Sequence, residues 1–137
     1  MKIPYIDTNI IIRYVDSTNL DMQEASARLF NKVQSGEVTI QTSSIVIAET
    51  VWVLSSKNLY ALSRDQIRDT IAGIIRYPNF KLENKNIILD ALDIYASSGV
   101  KFVDALLISA MRQGNVKAIY SHDHHFDNLS DIKRIEP

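Results

Sequence analysis

Short apolar runs at residues 3–6, 38–41, 80–82 and 118–121 alternate along this chain with longer stretches whose apolar positions recur at helical spacing. That alternation restricts the fold to an α/β sandwich, with helices separating strands and a sheet that is mostly parallel. The helical stretches carry their own start and stop signals. Asp7-Thr8-Asn9 offers capping side chains to a helix opening at Ile10-Ile11-Ile12, so the first strand points into a helix N-terminus. Residues 22–35 place Ala25, Leu29, Phe30 and Val33 at helical spacing, with Gly36 where a left-handed residue closes a helix. Ser43-Ser44 caps an apolar helix reaching about Lys57. Ser63 and Gln66 spell a capping box for the next helix, which reaches about Arg76 and ends before Pro78. Two more helices over 84–97 and 101–113 stop at Gly99 and Gly114. Residues 123–129 read as a short turn or helix and residues 133–135 as a last edge strand. No repeat or long linker interrupts the 137 residues, which predicts one domain over 1–137.

A net charge of −1 argues against a protein that holds nucleic acid by a broad basic surface and leaves room only for a local basic rim. The absence of cysteine removes disulfide and thiolate-metal frameworks and suits a reducing compartment. The N-terminus lacks a signal-peptide apolar core, and no stretch approaches the ~20 apolar residues that span a bilayer. The expected location is therefore cytoplasmic, with no membrane partner.

Four acids sit within or directly after apolar runs. Asp7 ends Ile3-Pro4-Tyr5-Ile6, and Glu49 divides Ile45-Val46-Ile47-Ala48 from Val51-Trp52-Val53-Leu54. Asp104 lies inside Phe102–Ile108, and Asp123 follows Ala118–His122. Burying a lone carboxylate is costly, so this placement predicts carboxylates gathered around a positive charge, and without it their mutual repulsion would oppose folding. Asp7 and Asp123 fall just beyond strand ends, where open α/β sheets collect their ligands. Glu49 and Asp104 lie on helices whose neighbours three and four residues away are largely apolar. Oxygen-only ligands favour a hard cation, Mg²⁺ or Mn²⁺, over zinc. Such an ion suits phosphodiester hydrolysis, because it activates water and stabilises the charge that develops on phosphate.

Taken in order, Asp7-Thr8-Asn9, Ser44 five residues before Glu49, Phe102-Val103-Asp104-Ala105-Leu106 and Ser121-His122-Asp123 resemble a PIN domain, and within that family the VapC-type toxins of type II toxin–antitoxin pairs. The resemblance covers essentially the whole chain. It implies a PIN-like three-layer α/β/α sandwich and a Mg²⁺- or Mn²⁺-dependent endoribonuclease acting on RNA, commonly a homodimer, neutralised by a cognate antitoxin. It also implies that Asp7, Glu49, Asp104 and Asp123 form the catalytic and metal-binding quartet, with Asp7 and Asp104 the leading ligands. Thr8, Asn9, Ser44 and Ser121 would be polar neighbours that orient carboxylates and water. The last motif is richer in histidine than the family pattern, and Asp127 stands as a rival or supplement to Asp123.

Plainer readings compete with these. Asp7 and Asp123 could simply cap the turns that follow them, and Glu49 or Asp104 could be surface acids. His122, His124 and His125 lack the spacing that puts two imidazoles on one helix face, and read as solvent-exposed. Trp52 and Tyr60 could stack on bases, but Trp52 sits in a strongly apolar helix and reads as core or subunit interface. Arg13, Lys101, Arg112 and Lys117 either line a path for an RNA backbone or are scattered solvated charges. Two alternative functions follow: a non-catalytic RNA- or partner-binding domain, and an Asp-nucleophile phosphatase of the haloacid dehalogenase type. The phosphatase fits worse, because Asp7-Thr8-Asn9 does not supply a second aspartate two residues on.

Overall fold

A computed structural model describes residues 2–137. The chain runs α1 (Thr8–Val15), α2 (Leu20–Gln34), β1 (Ile40–Thr42), α3 (Ser44–Ser55), α4 (Arg64–Ile75), β2 (Phe80–Leu82), α5 (Lys85–Ser98), α6 (Phe102–Gln113), β3 (Ala118–Tyr120), a 3-10 helix (His124–Asn128) and β4 (Lys133–Ile135). The α/β class and the parallel pairing agree with expectation. β1 pairs with β2 through Ile40↔Phe80, Gln41↔Lys81 and Thr42↔Leu82, and β3 pairs with β4 through Ala118↔Lys133, Ile119↔Arg134 and Tyr120↔Ile135.

The first expected strand, residues 3–6, shortens to a parallel bridge between Tyr5 and Gln41. Ile6 N–H donates to Gln41 C=O at 2.9 Å and Gln41 N–H donates to Pro4 C=O at 3.0 Å. Pro4 has no N–H to extend that ladder, which accounts for the shortening. Parallel pairing therefore comes as two separate ladders, one around β1 and one around β3.

The helices end largely where local chemistry dictates. Ser63 Oγ accepts from Gln66 N–H at 3.1 Å while Gln66 Oε1 accepts from Ser63 N–H at 2.9 Å, which completes the capping box. Gly99 adopts φ +73° after α5, the left-handed geometry expected of it, whereas after α6 the left-handed residue is Asn115, one past Gly114. Ser43 occupies the N-cap of α3 without a side-chain bond, and α3 ends at Ser55, short of Lys57. The core runs through all the longer helices: Ile11, Phe30, Ile47, Leu54, Ile71, Phe80 and Leu92 are among the fully buried side chains. Each contributes roughly 1.5–3 kcal/mol by leaving water. Arg64 at the start of α4 donates from Nη1 to Tyr95 C=O at 2.8 Å and lies 4.2 Å from the Tyr95 ring centroid, which fixes α4 against the end of α5.

α3 carries the frame outward. Ile47, Thr50, Val51 and Leu54 face inward, but Ile45 and Trp52 are 76% and 68% exposed. Trp52 is therefore not core, because α3 is apolar on both sides and only one side meets the rest of the chain.

Candidate active site

The strand-to-helix junction places Asp7 at the N-cap of α1, where its Oδ1 accepts from Ile10 N–H at 3.3 Å. Thr8, the first residue of α1, donates from Oγ1 to Glu49 Oε2 at 2.7 Å. This bond spans 41 residues of sequence and ties Glu49 to the residue that follows Asp7, since α1 packs on α3. Asp104 occupies the first turn of α6, half-buried, on a helix that also packs on α3. Asp123 is the N-cap of the 3-10 helix, where its Oδ1 accepts from His125 N–H at 2.9 Å. The same oxygen lies 2.6 Å from His125 Nδ1. These bonds, with a weaker contribution from Lys101, hold its carboxyl below the usual carboxylate range despite partial desolvation.

The expectation of buried acids is corrected: Asp7 and Glu49 are exposed, and Asp104 and Asp123 half-buried. An apolar run in sequence is not an apolar environment in space, because Ile45 and Trp52 share the outward side of α3 with Glu49. Both cap readings are realised for Asp7 and Asp123.

Among the described residues no group of three or more acids and histidines stands close enough to enclose a metal. A closed, zinc-like coordination sphere is thereby absent from this arrangement. Hydrated Mg²⁺ asks for less, since one or two carboxylates suffice when water and substrate phosphate complete its shell. Asp7 and Glu49 fit that requirement, each with one oxygen engaged by Ile10 or Thr8 and a second that no described group hydrogen-bonds. Asp123 likewise keeps Oδ2 unengaged.

Asp127 differs. Its Oδ1 accepts from Arg134 Nε at 2.9 Å and its Oδ2 lies 2.9 Å from His124 Nδ1, so both oxygens are committed. Arg134 chiefly, then His124, holds its carboxyl below the usual range. Arg134 also binds Glu136 and donates to Ser121 C=O, knitting β3, β4 and the 3-10 helix together. The three histidines are exposed, as expected, and each faces a carboxylate.

Of the polar neighbours, Thr8 contacts Glu49, and Ser121 Oγ accepts from Asp123 N–H at 2.9 Å. Asn9 and Ser44 are exposed, and Asn9 lines one cavity with Asp7. The four basic candidates divide: Arg13 lines one cavity with Asp7, Arg112 is tied to Asp131 at 2.8 Å, and Lys101 and Lys117 are exposed. Sequence reasoning passed over Asp16, which is buried and accepts from Thr18 N–H at 2.8 Å, Thr18 Oγ1 at 2.6 Å and Tyr60 Oη at 2.6 Å. Those bonds pull its carboxyl down to about 2. Aspartate two residues before threonine is a local turn signal that could have marked it.

A search of curated proteins finds no match. Among solved structures the chain is similar to the crystal structure of Mycobacterium tuberculosis VapC20, a sarcin-ricin loop cleaving toxin, with 18% identity and a TM-score of 0.39 over 98% of this chain and 99% of that one. The family model of the PIN domain matches residues 5–132, nearly the whole chain and all four acids, and the chain belongs to the PIN domain family.

Proposed function

We propose that the chain is a VapC-type endoribonuclease toxin, dependent on Mg²⁺ or Mn²⁺ and neutralised by a cognate antitoxin. Membership of the PIN family carries this reading, together with one contact: the Thr8–Glu49 bond, which ties Glu49 to the residue next to Asp7 at the start of α1. Asp7, Glu49, Asp104 and Asp123 would be the catalytic acids, with one or two of them holding the hydrated cation directly. When bound, a hard cation supplies a more acidic water and neutralises charge that develops on the phosphodiester.

The chain's own groups do the positioning. Ile10 N–H turns the Asp7 carboxylate outward, Thr8 fixes Glu49, and Ser121 with His125 sets the Asp123 turn. Lys101, exposed at the start of α6 three residues before Asp104, offers a cation to a substrate phosphate where net charge offers none. Asp127 is left to structure.

The homodimer reading rests on a separate surface. Ile45 and Trp52 on α3, with Val103 and Leu107 on α6, are 76%, 68%, 64% and 44% exposed. Together they leave on the order of 500 Å² of apolar surface, at the upper end of what a monomer keeps. A second copy packing helix face on helix face would cover it.

The test is incubation of the purified chain with total RNA and Mn²⁺, with Asp104→Asn as control and 5′-end mapping of products. Metal-dependent cuts that vanish in Asp104→Asn are expected. Retained RNA binding with no such cuts would favour the binding-domain alternative. The PIN assignment leaves the phosphatase alternative without support.

A further inference from the structure

A cavity of about 390 Å³ opens between α1 and α2, lined by Asp7, Ile10, Arg13, Met22, Ser26 and Leu29 among others. Its size falls within the range of small-ligand pockets. Three of these residues give it apolar walls, and Asp7 joins it directly to the acidic site. Ser26 is the telling group. Its side chain is 5% exposed, yet its hydroxyl hydrogen-bonds no described residue. No fully enclosed side-chain polar atom among the described residues lacks a partner, so the Ser26 hydroxyl is not sealed off, and Ser26 lines this cavity. Arg13 brings a second donor, tied to Asp16 only at 3.7 Å.

We propose that this cavity is a nucleobase subsite, taking one unpaired base of the RNA strand whose phosphate lies at the acids. The inference rests on the ribonuclease reading and adds its specificity element. An unpaired base has flat apolar faces for Ile10, Met22 and Leu29, and an edge of donors and acceptors for the Ser26 hydroxyl and the Arg13 guanidinium. An aliphatic peptide side chain would fill the walls and leave both polar groups unpaired, at a desolvation cost. A base also supplies what this chain's charge does not: with a net charge of −1, attraction to the RNA backbone alone gives little hold.

The test follows the Met22 methyl resonance by NMR in EDTA, where cleavage is stopped, while each of the four nucleoside 5′-monophosphates is added to ~10 mM. Ribose 5-phosphate and N-acetyl-leucinamide serve as controls. A saturable shift with at least one nucleotide is expected, lost in Ala25→Trp, which fills the cavity from an exposed position on α2. Ser26→Ala should weaken that binding at least tenfold or change the preferred base. No nucleotide shift, an equal shift with ribose 5-phosphate, or a shift with the leucine amide alone would each overturn the subsite.

Failure of the two readings is separable. Ala25→Trp that cuts RNA at unchanged positions and rate removes the base subsite and leaves the nuclease standing. Nucleotide binding in the cavity of a chain that cuts nothing does the reverse.

Discussion

Replacing Asp7 by asparagine and by alanine separates the observed role of its carboxylate, capping α1, from the proposed one, holding a cation. The cap bond to Ile10 N–H is 3.3 Å, at the long end for such bonds, so its loss in Asp7→Ala belongs in the lower half of the usual range, about 0.5–1 kcal/mol. For a chain of this size about 4 °C accompanies each kcal/mol, giving a fall in Tm of about 2–4 °C in EDTA. Asparagine caps nearly as well as aspartate, so Asp7→Asn should stay within ~1 °C of the parent. The sequence-level idea that neutralising an acid would stabilise the metal-free chain does not carry over. Asp7 is exposed and belongs to no cluster of three, so repulsion around it is screened. Mn²⁺ at a hundredfold excess over its Kd should raise the parent's stability by about 2.7 kcal/mol, or about 10 °C, and both variants should lose most of that rise. Thermal unfolding followed by circular dichroism, with and without Mn²⁺, reads all six values. Asp7→Asn falling as far as Asp7→Ala in EDTA would refute the cap argument, and a full Mn²⁺ response in either variant would remove Asp7 from the metal site.

Other outcomes follow from neighbouring features. Trp52→Glu sets a charge in the exposed α3–α6 face and should weaken self-association at least tenfold by light scattering, whereas an unaltered dimer would place the interface elsewhere. Asp16, with its carboxyl held at about 2 against an ordinary 3.8, adds stability that is complete above about pH 4 and disappears as pH falls through about 2. Asp16→Asn should flatten that part of the acid limb of a stability–pH curve, and superimposable limbs would contradict the bonding described. Ser63→Ala should cost about 1 kcal/mol, with little added by Gln66→Ala in the double variant because the capping box is reciprocal, and strictly additive costs by urea unfolding would argue against it.

The parts of the fold that were legible in the sequence are those set by local chemistry. The capping box at Ser63, the left-handed Gly99 and the β2 strand Phe80–Leu82 depend on residues within a turn of each other. Burial of the acids was not legible, because it depends on which side of α3 meets the core, and a helix apolar all round gives no indication of that. The Thr8–Glu49 contact joins positions 41 residues apart and is visible only once α1 and α3 are packed. Ser26 looked like an ordinary residue of α2, and only the cavity beside it gives its hydroxyl a role. Arg134, which commits Asp127, sits seven residues beyond it on another element, so no spacing rule separated Asp127 from Asp123.

The way these acids are held bears on whether folding depends on the cation. Asp7 and Asp123 each give one oxygen to the backbone N–H groups at the start of a helical turn, where the local dipole favours negative charge. Glu49 gives one to a threonine hydroxyl. Each is thereby oriented by the chain itself, with its other oxygen turned to solvent. This differs from a structural zinc site, where the ion itself crosslinks the ligands and the fold is lost without it. A chelator should therefore abolish RNA cleavage and cost no more than the ~2.7 kcal/mol of urea stability that bound Mn²⁺ adds by mass action, with the native circular dichroism spectrum retained. Collapse of the far-ultraviolet circular dichroism signal in EDTA would mean that the carboxylates are not oriented by their caps, and the pre-set site described here would have to be abandoned.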